Sequence, residues 1–426
     1  MAITPFLFAV NPATASSILR IYLNALASGQ VTIGQLLGNF LTAPYAFQGV
    51  PFLSYTPTFG TNQDDQIDRS SGDNLIWGLD GNDTITTAGG NDILDGGNGD
   101  DALVVGIGRD LVFGGNGDDF ILANGTGFLF GGSGNDVILG ANDASFSEVS
   151  GGAGDDTIEI GQPVGSQLTD KVRGDDGNDV IQATNVKRIV GGRGNDSIFG
   201  FAGTLTGSSN QQVVVTGDGG DDTIRYALNF APRGSSLSGG QGNDILSGNG
   251  SINGDEGNDQ ITIEANFSNP DNPSIASGGS GDDLLIGAVT GDKSLLGGDG
   301  DDILSGSPDR FTFNPTAIDT MTGGAGRDRF VLGDQSSVFY IDSDPNTAND
   351  DSLSNGFAII TDFTIGQDVI QLKGSPSDYR LDLFSGSGVS RAVVFYTQGQ
   401  NVPERMAILG DAPSGLSLTS PSFSYV

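Results

Sequence analysis

Over most of this 426-residue chain, hydrophobic residues recur as short segments between glycine-rich runs. Their spacing there is not that of an amphipathic helix. In the stretch GNDTITTAGGNDILDGGNGDDALVVGIGRDLVFGGNGDDFIL, residues 81–122, a hydrophobic residue follows each repeated aspartate within two positions. The aspartates lie nine residues apart and are Asp83, Asp92, Asp101, Asp110 and Asp119. A short hydrophobic segment bounded by glycine turns predicts a strand. The period therefore predicts one turn and one strand in every nine residues.

The turns have the composition of a calcium site. Their consensus is G-G-x-G-[ND]-D-x-U-x, in which U is Ile, Leu, Val or Phe. Glycine permits positive φ, so a sharp turn can direct its carbonyl oxygens inward. Calcium takes about six to eight oxygen ligands and mixes carboxylates with carbonyls. An aspartate is short enough to reach such an ion from the end of the turn, which explains why 48 of the 53 acidic residues are aspartate.

This consensus closely resembles the repeats-in-toxin (RTX), or haemolysin-type, calcium-binding family. In that family each nonapeptide forms a turn and a short strand, and two nonapeptides complete one coil of a right-handed parallel β-roll. The resemblance covers about residues 60 to 335. It implies an all-β fold, a right-handed parallel β-roll or β-solenoid with stacked calcium-binding turns. Loose turns in a disordered chain are the alternative, and the regular spacing disfavours them.

Two turns per coil place alternate turns on opposite edges of the roll. The first edge keeps an aspartate in every coil, at intervals of 15 to 26 residues, whereas the second loses it at Phe128. We therefore expect about a dozen Ca²⁺ ions, mainly on the first edge, and loops of varied length on the second. The predicted metal ligands are Asp65, Asp83, Asp101, Asp119, Asp136, Asp156, Asp179, Asp196, Asp222, Asp244, Asp259, Asp283, Asp302 and Asp328 on the first edge, and Asp92 and Asp110 on the second.

Charge and composition exclude several functions. The net charge of −35 argues against nucleic acid and anionic membranes as general partners, because both require a basic surface. Without cysteine or histidine the chain has no disulfides, no thiolate or histidine zinc sites and no Ser-His-Asp triad. No apolar run reaches the roughly 20 residues of a membrane-spanning helix.

The segments outside the repeats predict two further regions. Residues 1–58 are expected to form a helical N-terminal cap or a self-association region, residues 59–335 the RTX roll, and residues 336–426 a C-terminal capping region. One predicted helix starts with Asn11 as N-cap and ends before Gly29, and a second ends at Pro44. Their apolar faces comprise Ile18, Leu19, Tyr22, Leu23 and Leu26 in the first helix, and Ile33, Leu36, Leu37, Phe40 and Leu41 in the second.

The C-terminal region shows strand patterns and a hydroxyl-rich tail. FAIITDFTIGQDVIQLKG resembles the segment that closes RTX rolls, and RAVVFYTQG and ERMAILGD predict strands of a β-rich cap. SGLSLTSPSFSYV resembles the uncleaved signal read by type I secretion systems, with an ordinary exposed tail as the alternative. DSDPNTANDD begins like an EF-hand loop but lacks its glycine and its final glutamate, which favours an acidic surface loop. Trp77 is interpreted as a packing residue.

These observations favour a secreted, extracellular calcium-binding β-roll with a structural or adhesive role at the cell surface or in the extracellular matrix. It would fold on calcium binding, and its candidate partners are calcium, copies of itself and a cell-surface polysaccharide. The chain has no HExxH or GxSxG motif, so it is not expected to be an enzyme. The alternative is a carbohydrate-active or other enzyme with its site on the flank of the solenoid. An ice-binding face is disfavoured because second-edge loops of unequal length would break its even spacing.

Overall fold

The computed structural model describes residues 57–141, 145–161, 169–201, 212–227, 235–264, 274–287, 291–306, 318–340, 356–386, 389–398, 403–410 and 415–426. Both predicted N-terminal helices, the DSDPNTANDD loop and most of the variable second-edge loops lie outside these residues. The chain divides into two compact units, Met1–Gln162 with Thr169–Asp176, and Pro163–Leu168 with Gly177–Val426.

The described part of the first unit consists of thirteen strands in two parallel sheets. The odd-numbered strands are β1 Pro57–Phe59, β3 Leu75–Asp80, β5 Ile93–Asn98, β7 Arg109–Asn116, β9 Thr126–Ser133, β11 Ser145–Ala153 and β13 Thr169–Asp176. The even-numbered strands, in the other sheet, are β2 Gln66–Arg69, β4 Thr84–Thr87, β6 Ala102–Val105, β8 Phe120–Ala123, β10 Val137–Gly140 and β12 Thr157–Ile160. Consecutive strands of the chain alternate between the sheets, so each coil contributes one strand to each of them.

The second unit repeats this arrangement. One sheet contains β15 Val186–Arg193, β17 Val214–Gly219, β19 Ser236–Gln241, β21 Ser251–Glu256, β23 Ser274–Ser280, β25 Lys293–Asp299, β27 Ile318–Ala325, β29 Phe357–Ile360, β31 Tyr379–Gly386, β32 Val389–Tyr396 and β33 Glu404–Leu409. The other contains β14 Val180–Thr184, β16 Ser197–Phe201, β18 Thr223–Ala227, β20 Ile245–Gly248, β22 Gln260–Ile263, β24 Leu284–Ile286, β26 Ile303–Ser305, β28 Arg329–Val331, β30 Val369–Leu372 and β34 Phe423–Tyr425. The helical content of the described residues is one 3₁₀ turn, Pro376–Asp378.

Each unit has a narrow core formed by ladders of single side chains. In the even-numbered strands of the first unit, the inward position is filled by Ile85, Leu103, Ile121, Ile138 and Ile158, all fully buried. They pair in parallel register, with Ile85 opposite Leu103 and Ile121 opposite Ile138. Each strand of a coil therefore supplies only one or two core residues, because successive side chains of a strand alternate between its two faces. The predicted parallel β-roll is confirmed.

The C-terminal end of the second unit departs from the repeat. Strands β31, β32 and β33 form an antiparallel meander, and β33 then pairs in parallel with β29 of the roll. The strands predicted from RAVVFYTQG and ERMAILGD thus appear as β32 and β33. The final stretch contains strand β34, which pairs with β30 and buries Phe423, so it is not an ordinary exposed tail.

Candidate metal centre

In most repeat turns two glycines occupy positions that suit few other residues. In the turn of residues 96–101, a Cβ on Gly96 would collide with the Asp101 carboxylate and lie 2.6 Å from the carbonyl oxygen of Gly114. The next residue, Gly97, has a φ of 124°, in the region that side chains rarely adopt. The first glycine therefore leaves room for a carboxylate and a carbonyl, and the second allows the sharp bend.

The repeated aspartates form a hydrogen-bonded ladder along the first edge of each unit. In the first unit, Asp65 N–H donates to Asp83 Oδ1 at 2.8 Å and Asp83 N–H to Asp101 Oδ1 at 2.7 Å. The same bond continues through Asp119, Asp136 and Asp156 at 2.8 Å in each step. Each Oδ1 is thus fixed by the coil before it, which orients the whole carboxyl group.

The second unit has the same ladder although its loops differ in length. The bonds join Asp179 to Asp196, Asp196 to Asp222, Asp222 to Asp244, Asp244 to Asp259, Asp259 to Asp283, Asp283 to Asp302 and Asp302 to Asp328, at 2.7–3.1 Å. Sequence separations in this set run from 15 to 26 residues. The turn geometry on this edge is therefore independent of the length of the opposite loop.

The second carboxylate oxygen, Oδ2, is the atom of each ladder aspartate that is available to bind a cation. It is buried and has no hydrogen-bond partner among the described residues in Asp83, Asp92, Asp101, Asp110, Asp119, Asp136, Asp196, Asp222, Asp244, Asp259, Asp283 and Asp302. A buried carboxylate oxygen without a donor is costly unless a cation or a proton satisfies it. On the first edge each Oδ2 lies beside the first glycine of its own turn, as that of Asp101 does beside Gly96. The residues therefore fit a hard cation.

Main-chain oxygens must supply much of the coordination. Among the described residues, no cluster brings three or more acidic side chains to one point. The carbonyl oxygens of turn glycines, such as Gly114 beside Asp101, lie in the same space as the carboxylates. A mixture of carboxylate and carbonyl oxygens is the ligand set that calcium prefers, whereas magnesium keeps several water ligands. The donor chemistry therefore favours calcium.

Burial shifts the acidity of the ladder. The pKa of Asp119 and Asp196 is raised to about 8. Burial is the largest cause, neighbouring ladder carboxylates add to it, and the backbone N–H bond acts in the opposite direction. Burial likewise raises the pKa of Asp101, Asp110, Asp136, Asp222 and Asp302 to about 7, and of Asp244, Asp259, Asp283 and Asp328 to about 6. Without a cation these groups therefore lose their protons at a higher pH than an exposed aspartate does.

The second edge of the first unit carries a shorter ladder. Asn74 N–H donates to Asp92 Oδ1 at 2.8 Å, and Asp92 N–H donates to Asp110 Oδ1 at 2.9 Å. In the next coil Gly125 faces Asp110, and Phe128 lies on β9 without a carboxylate to continue the row. The carboxylate ladder on this edge ends at Asp110.

The structure adds Asp368, which our sequence analysis missed. Asp328 N–H donates to Asp368 Oδ1 at 3.1 Å, although the two residues are 40 positions apart. Asp368 Oδ2 accepts the N–H of Thr364. In the first unit, where Asp65 begins the ladder, Asp65 Oδ2 accepts the N–H and hydroxyl of Thr61. The motif G-Q-D-V-I at residues 366–370 was the available signal. The carboxylates of Asp65 and Asp368 are thus satisfied locally, which distinguishes them from ladder members such as Asp101 and Asp244.

A second, exposed ladder explains why asparagine or aspartate precedes most of the buried aspartates. Asn82 N–H donates to Asp64 Oδ1 at 2.9 Å, Asp100 N–H to Asn82 Oδ1 at 3.1 Å, and Asp118 N–H to Asp100 Oδ1 at 2.9 Å. Only a carbonyl or carboxylate oxygen on a short side chain can accept this bond, so both residue types serve. These residues support the turn rather than face its interior.

Comparison with protein-family models gives a match to the RTX calcium-binding nonapeptide repeat. The matched stretches are residues 59–94, 68–103, 95–126, 123–144, 148–161, 164–185, 188–204 and 316–338. The chain contains RTX calcium-binding repeats. In the RTX roll the ladder geometry also extends through Asp222, Asp244, Asp259, Asp283 and Asp302, beyond these stretches. A search of curated proteins gave no match.

The RTX repeats establish that the cofactor is Ca²⁺ and that several ions bind. Which aspartate holds which ion stays a prediction for all sixteen residues named from the sequence. Within the part of the chain that the structure describes, no helix is long and apolar enough to cross a membrane.

Proposed function

We propose that this chain is a secreted calcium-binding β-roll that serves a structural or adhesive role at the cell surface or in the extracellular matrix. The observation that carries the proposal is the row of buried Oδ2 atoms, for which the described residues supply no hydrogen-bond donor. A scaffold that depends on calcium suits an environment in which calcium is abundant. It would not be stable where calcium is scarce.

Calcium would compensate charges that the fold brings together. Adjacent strands of a sheet are about 4.8 Å apart, so ladder carboxylates of successive coils lie close to one another. Two unit charges at this distance repel by roughly 3 kcal/mol at an effective dielectric constant of about 20. About a dozen Ca²⁺ ions, held by the ladder Oδ2 atoms and turn carbonyls, would offset about two thirds of the net charge of −35.

The binding energy of these ions would be large enough to control folding. Extracellular calcium modules bind at about 10⁻⁴–10⁻³ M. At ten times the dissociation constant each site contributes about 1.4 kcal/mol, and a dozen sites contribute on the order of 15 kcal/mol. This equals the whole stability of an ordinary domain. The chain would therefore stay unfolded before export by a type I system and fold when it meets calcium outside the cell.

Folding and binding can be tested on the purified chain. We expect a calcium titration to produce the β signal in circular dichroism, with a bound stoichiometry of several ions per chain by calorimetry. Asp222→Asn removes a buried ligand, whereas Asp221→Asn changes its exposed neighbour and keeps the oxygen that accepts the N–H of Asn243. Only Asp222→Asn should lower the stoichiometry. A full β signal in excess chelator, unchanged by millimolar calcium, would refute calcium-dependent folding.

The extracellular role needs a separate experiment. We expect electron microscopy of the calcium-loaded chain to show fibres or layers, or co-sedimentation to show binding to purified cell-surface polysaccharide. Chelator should abolish either result because the roll would unfold. A calcium-loaded chain that stays monomeric and binds neither its own copies nor the polysaccharide would contradict the structural or adhesive role, while leaving calcium binding intact.

A groove on the flank of the second unit is where the enzymatic alternative would have its site. It has a volume of about 460 Å³ and is lined by Asp218, Asp255 and Glu256. Asp255 accepts hydrogen bonds from Ser238 and Asn253, and both Asp218 and Asp255 have positive φ where the consensus has glycine. These bonds suit a role in holding the turn. Hydrolysis of a surface polysaccharide that is lost in Asp255→Asn but retained in Asp299→Asn would favour the enzyme.

A further inference from the structure

The second unit carries a buried lysine at the strand position that an aspartate of the second edge holds in the first unit. Asp92 and Asp110 each lie two residues before the fully buried core residue of their strand. Lys293 on β25 and Asp319 on β27 lie at the same position of neighbouring strands. The four core residues concerned are Leu94, Val112, Leu295 and Met321. An ammonium therefore replaces one carboxylate of the predicted calcium-binding pair, and the other carboxylate is kept.

In the four coils before Lys293, this position is filled without charge. Its residues there are Val213, Ser235, Gly250 and Ser274. The Val213 N–H donates to Ser235 Oγ at 2.9 Å, and the Gly250 N–H donates to Ser274 Oγ at 3.3 Å. Hydroxyl oxygens thus accept the bond that a carboxylate oxygen of Asp110 accepts in the first unit. Charge returns in the next coil, and it returns as a pair of opposite signs.

The lysine is buried together with its counter-charge. The side chain of Lys293 is 2% exposed and that of Asp319 is 0% exposed. Lys293 Nζ lies 3.8 Å from Asp319 Oδ1 and donates a hydrogen bond to the carbonyl oxygen of Gly291 at 2.6 Å. Lysine is rarely buried unless it is paired, since removing an ammonium from water is costly. Its contacts here are one carboxylate and one turn carbonyl.

The same two kinds of oxygen meet on the second edge of the first unit. The carbonyl oxygen of Gly108 and Asp110 Oδ2 lie 2.5 and 2.7 Å from the point that a Cβ on Gly125 would occupy. Gly108 precedes Asp110 by two residues, as Gly291 precedes Lys293. Carboxylate and carbonyl oxygens at such a turn form the ligand set that calcium prefers. In the second unit the ammonium occupies the corresponding place.

Protein groups face both oxygens of the Asp319 carboxylate. Oδ1 faces the Lys293 ammonium, and Oδ2 accepts the hydroxyl of Tyr340 at 2.7 Å. Tyr340 is buried, and a Cβ on Gly306 would collide with its hydroxyl, so a glycine leaves room for this contact. Asp110 differs, because the described residues supply no donor to its buried Oδ2.

The two pairs reach electrical neutrality in different ways. Asp92 and Asp110 together carry two negative charges, which one Ca²⁺ ion balances, whereas Lys293 and Asp319 balance each other. We propose that the Lys293 ammonium takes the place of a calcium ion between β25 and β27. The inference rests on the calcium-dependent folding proposed above. It means that this part of the second edge needs no calcium, although Asp302, which follows β25 at its other end, is expected to bind it.

Two substitutions at one position separate a replaced ion from an ordinary ion pair. Lys293→Asp restores a pair of carboxylates, whereas the matched control Lys293→Met removes the charge without adding a ligand. Thermal unfolding is followed by circular dichroism over the calcium concentrations at which the wild-type chain is folded. Both variants should be less stable than wild type at the lowest of these concentrations. Lys293→Asp alone should recover as calcium rises, because it binds one more ion and its stability depends more steeply on calcium.

Terbium luminescence reports on the site directly. Tb³⁺ replaces calcium at oxygen sites, and a neighbouring tyrosine ring transfers excitation energy to it. The Tyr340 hydroxyl donates to Asp319, so an ion bound at that carboxylate lies next to the ring. Lys293→Asp should bind one more Tb³⁺ ion than wild type and show stronger emission on tyrosine excitation, and adding Tyr340→Phe should remove the increase. In the wild-type background, Tyr340→Phe should leave the emission unchanged.

Two results would overturn the proposal. One is a Lys293→Asp variant that loses as much stability as Lys293→Met at every calcium concentration and gains no terbium emission. The other is wild-type emission that falls in Tyr340→Phe, because an ion would then bind beside Lys293; this comparison stands even if both Lys293 variants fail to fold. A wild-type chain that is folded in chelator would contradict calcium-dependent folding, and the terbium comparison would still decide the role of Lys293.

Discussion

Acid should replace calcium as the agent that folds the roll. In metal-free protein at pH 7, every ladder carboxyl with a raised pKa must either stay protonated or be ionised while buried. Burial raises the pKa of Asp222 to about 7 from 3.8, a change worth about 4 kcal/mol at 1.36 kcal/mol per pKa unit. The corresponding value for Asp244, with a pKa of about 6, is about 3 kcal/mol.

The direction of the pH dependence follows from these raised values. A group whose pKa is higher in the folded state binds its proton more tightly there, so it stabilises the fold below its unfolded pKa of 3.8. That stabilisation is lost as the pH rises through the folded values, here from about 6 to about 8. If only a few of the eleven such carboxyls act independently, the loss is comparable with the roughly 5–15 kcal/mol that stabilises a typical domain.

The assay is circular dichroism in excess chelator from pH 7 to pH 4, with size-exclusion chromatography to exclude aggregates. We expect little β signal at pH 7 and a cooperative gain as the pH falls through about 6. Protein in millimolar calcium should be folded at pH 7. A chelated chain that remains unfolded down to pH 4 as a monomer would refute the argument that carboxylate ionisation opposes the metal-free fold.

A matched pair of variants sharpens this prediction. Asp222→Asn with Asp244→Asn mimics two protonated carboxyls, so it should move the acid-induced transition towards neutral pH while weakening calcium binding. Asp221→Asn and Asp301→Asn, at exposed positions one residue before buried ladder aspartates, should leave the transition nearly unchanged. Opposite effects on metal-free stability and calcium affinity would be hard to obtain from a general loss of packing.

Three further outcomes are expected. Asp244→Ala should lower the number of bound calcium ions by two, because the turn lies between two neighbouring coils, whereas the exposed Asn243→Ala should lower it by none; calorimetry measures both. Gly239→Ala should weaken binding without removing a ligand, since its methyl would collide with the Asp244 carboxylate, and we expect a cost of about 1–3 kcal/mol in calcium-loaded thermal unfolding. Lys293→Met should destabilise the folded chain by about 3–5 kcal/mol, because the Lys293 ammonium lies 3.8 Å from the buried Asp319 carboxylate and the substitution removes that positive charge. Adding Asp319→Leu to this variant should recover most of the lost stability.

The sequence by itself determined the repeating part of the molecule. Nine-residue spacing predicts a turn and a strand because both are local, and the wide tolerance in spacing on one edge correctly indicated that loops vary on the other. The ladder of the first unit from Asp65 to Asp156, that of the second from Asp179 to Asp328, and the short one at Asp92 and Asp110 follow from the same rule. Aspartate was recognisable because a carboxylate at the end of a glycine turn has few other uses.

Tertiary structure decided the features that depend on contacts between distant residues. Asp368 joins the ladder 40 positions after Asp328. Strand β34 pairs with β30, about 50 residues earlier, and this pairing turns an apparent tail into part of the sheet. Trp77 is buried on an outward face, where strand alternation alone predicts exposure. In each case the interacting residues are brought together by coil stacking, and a local repeat contains no information about which distant segment will be stacked beside it.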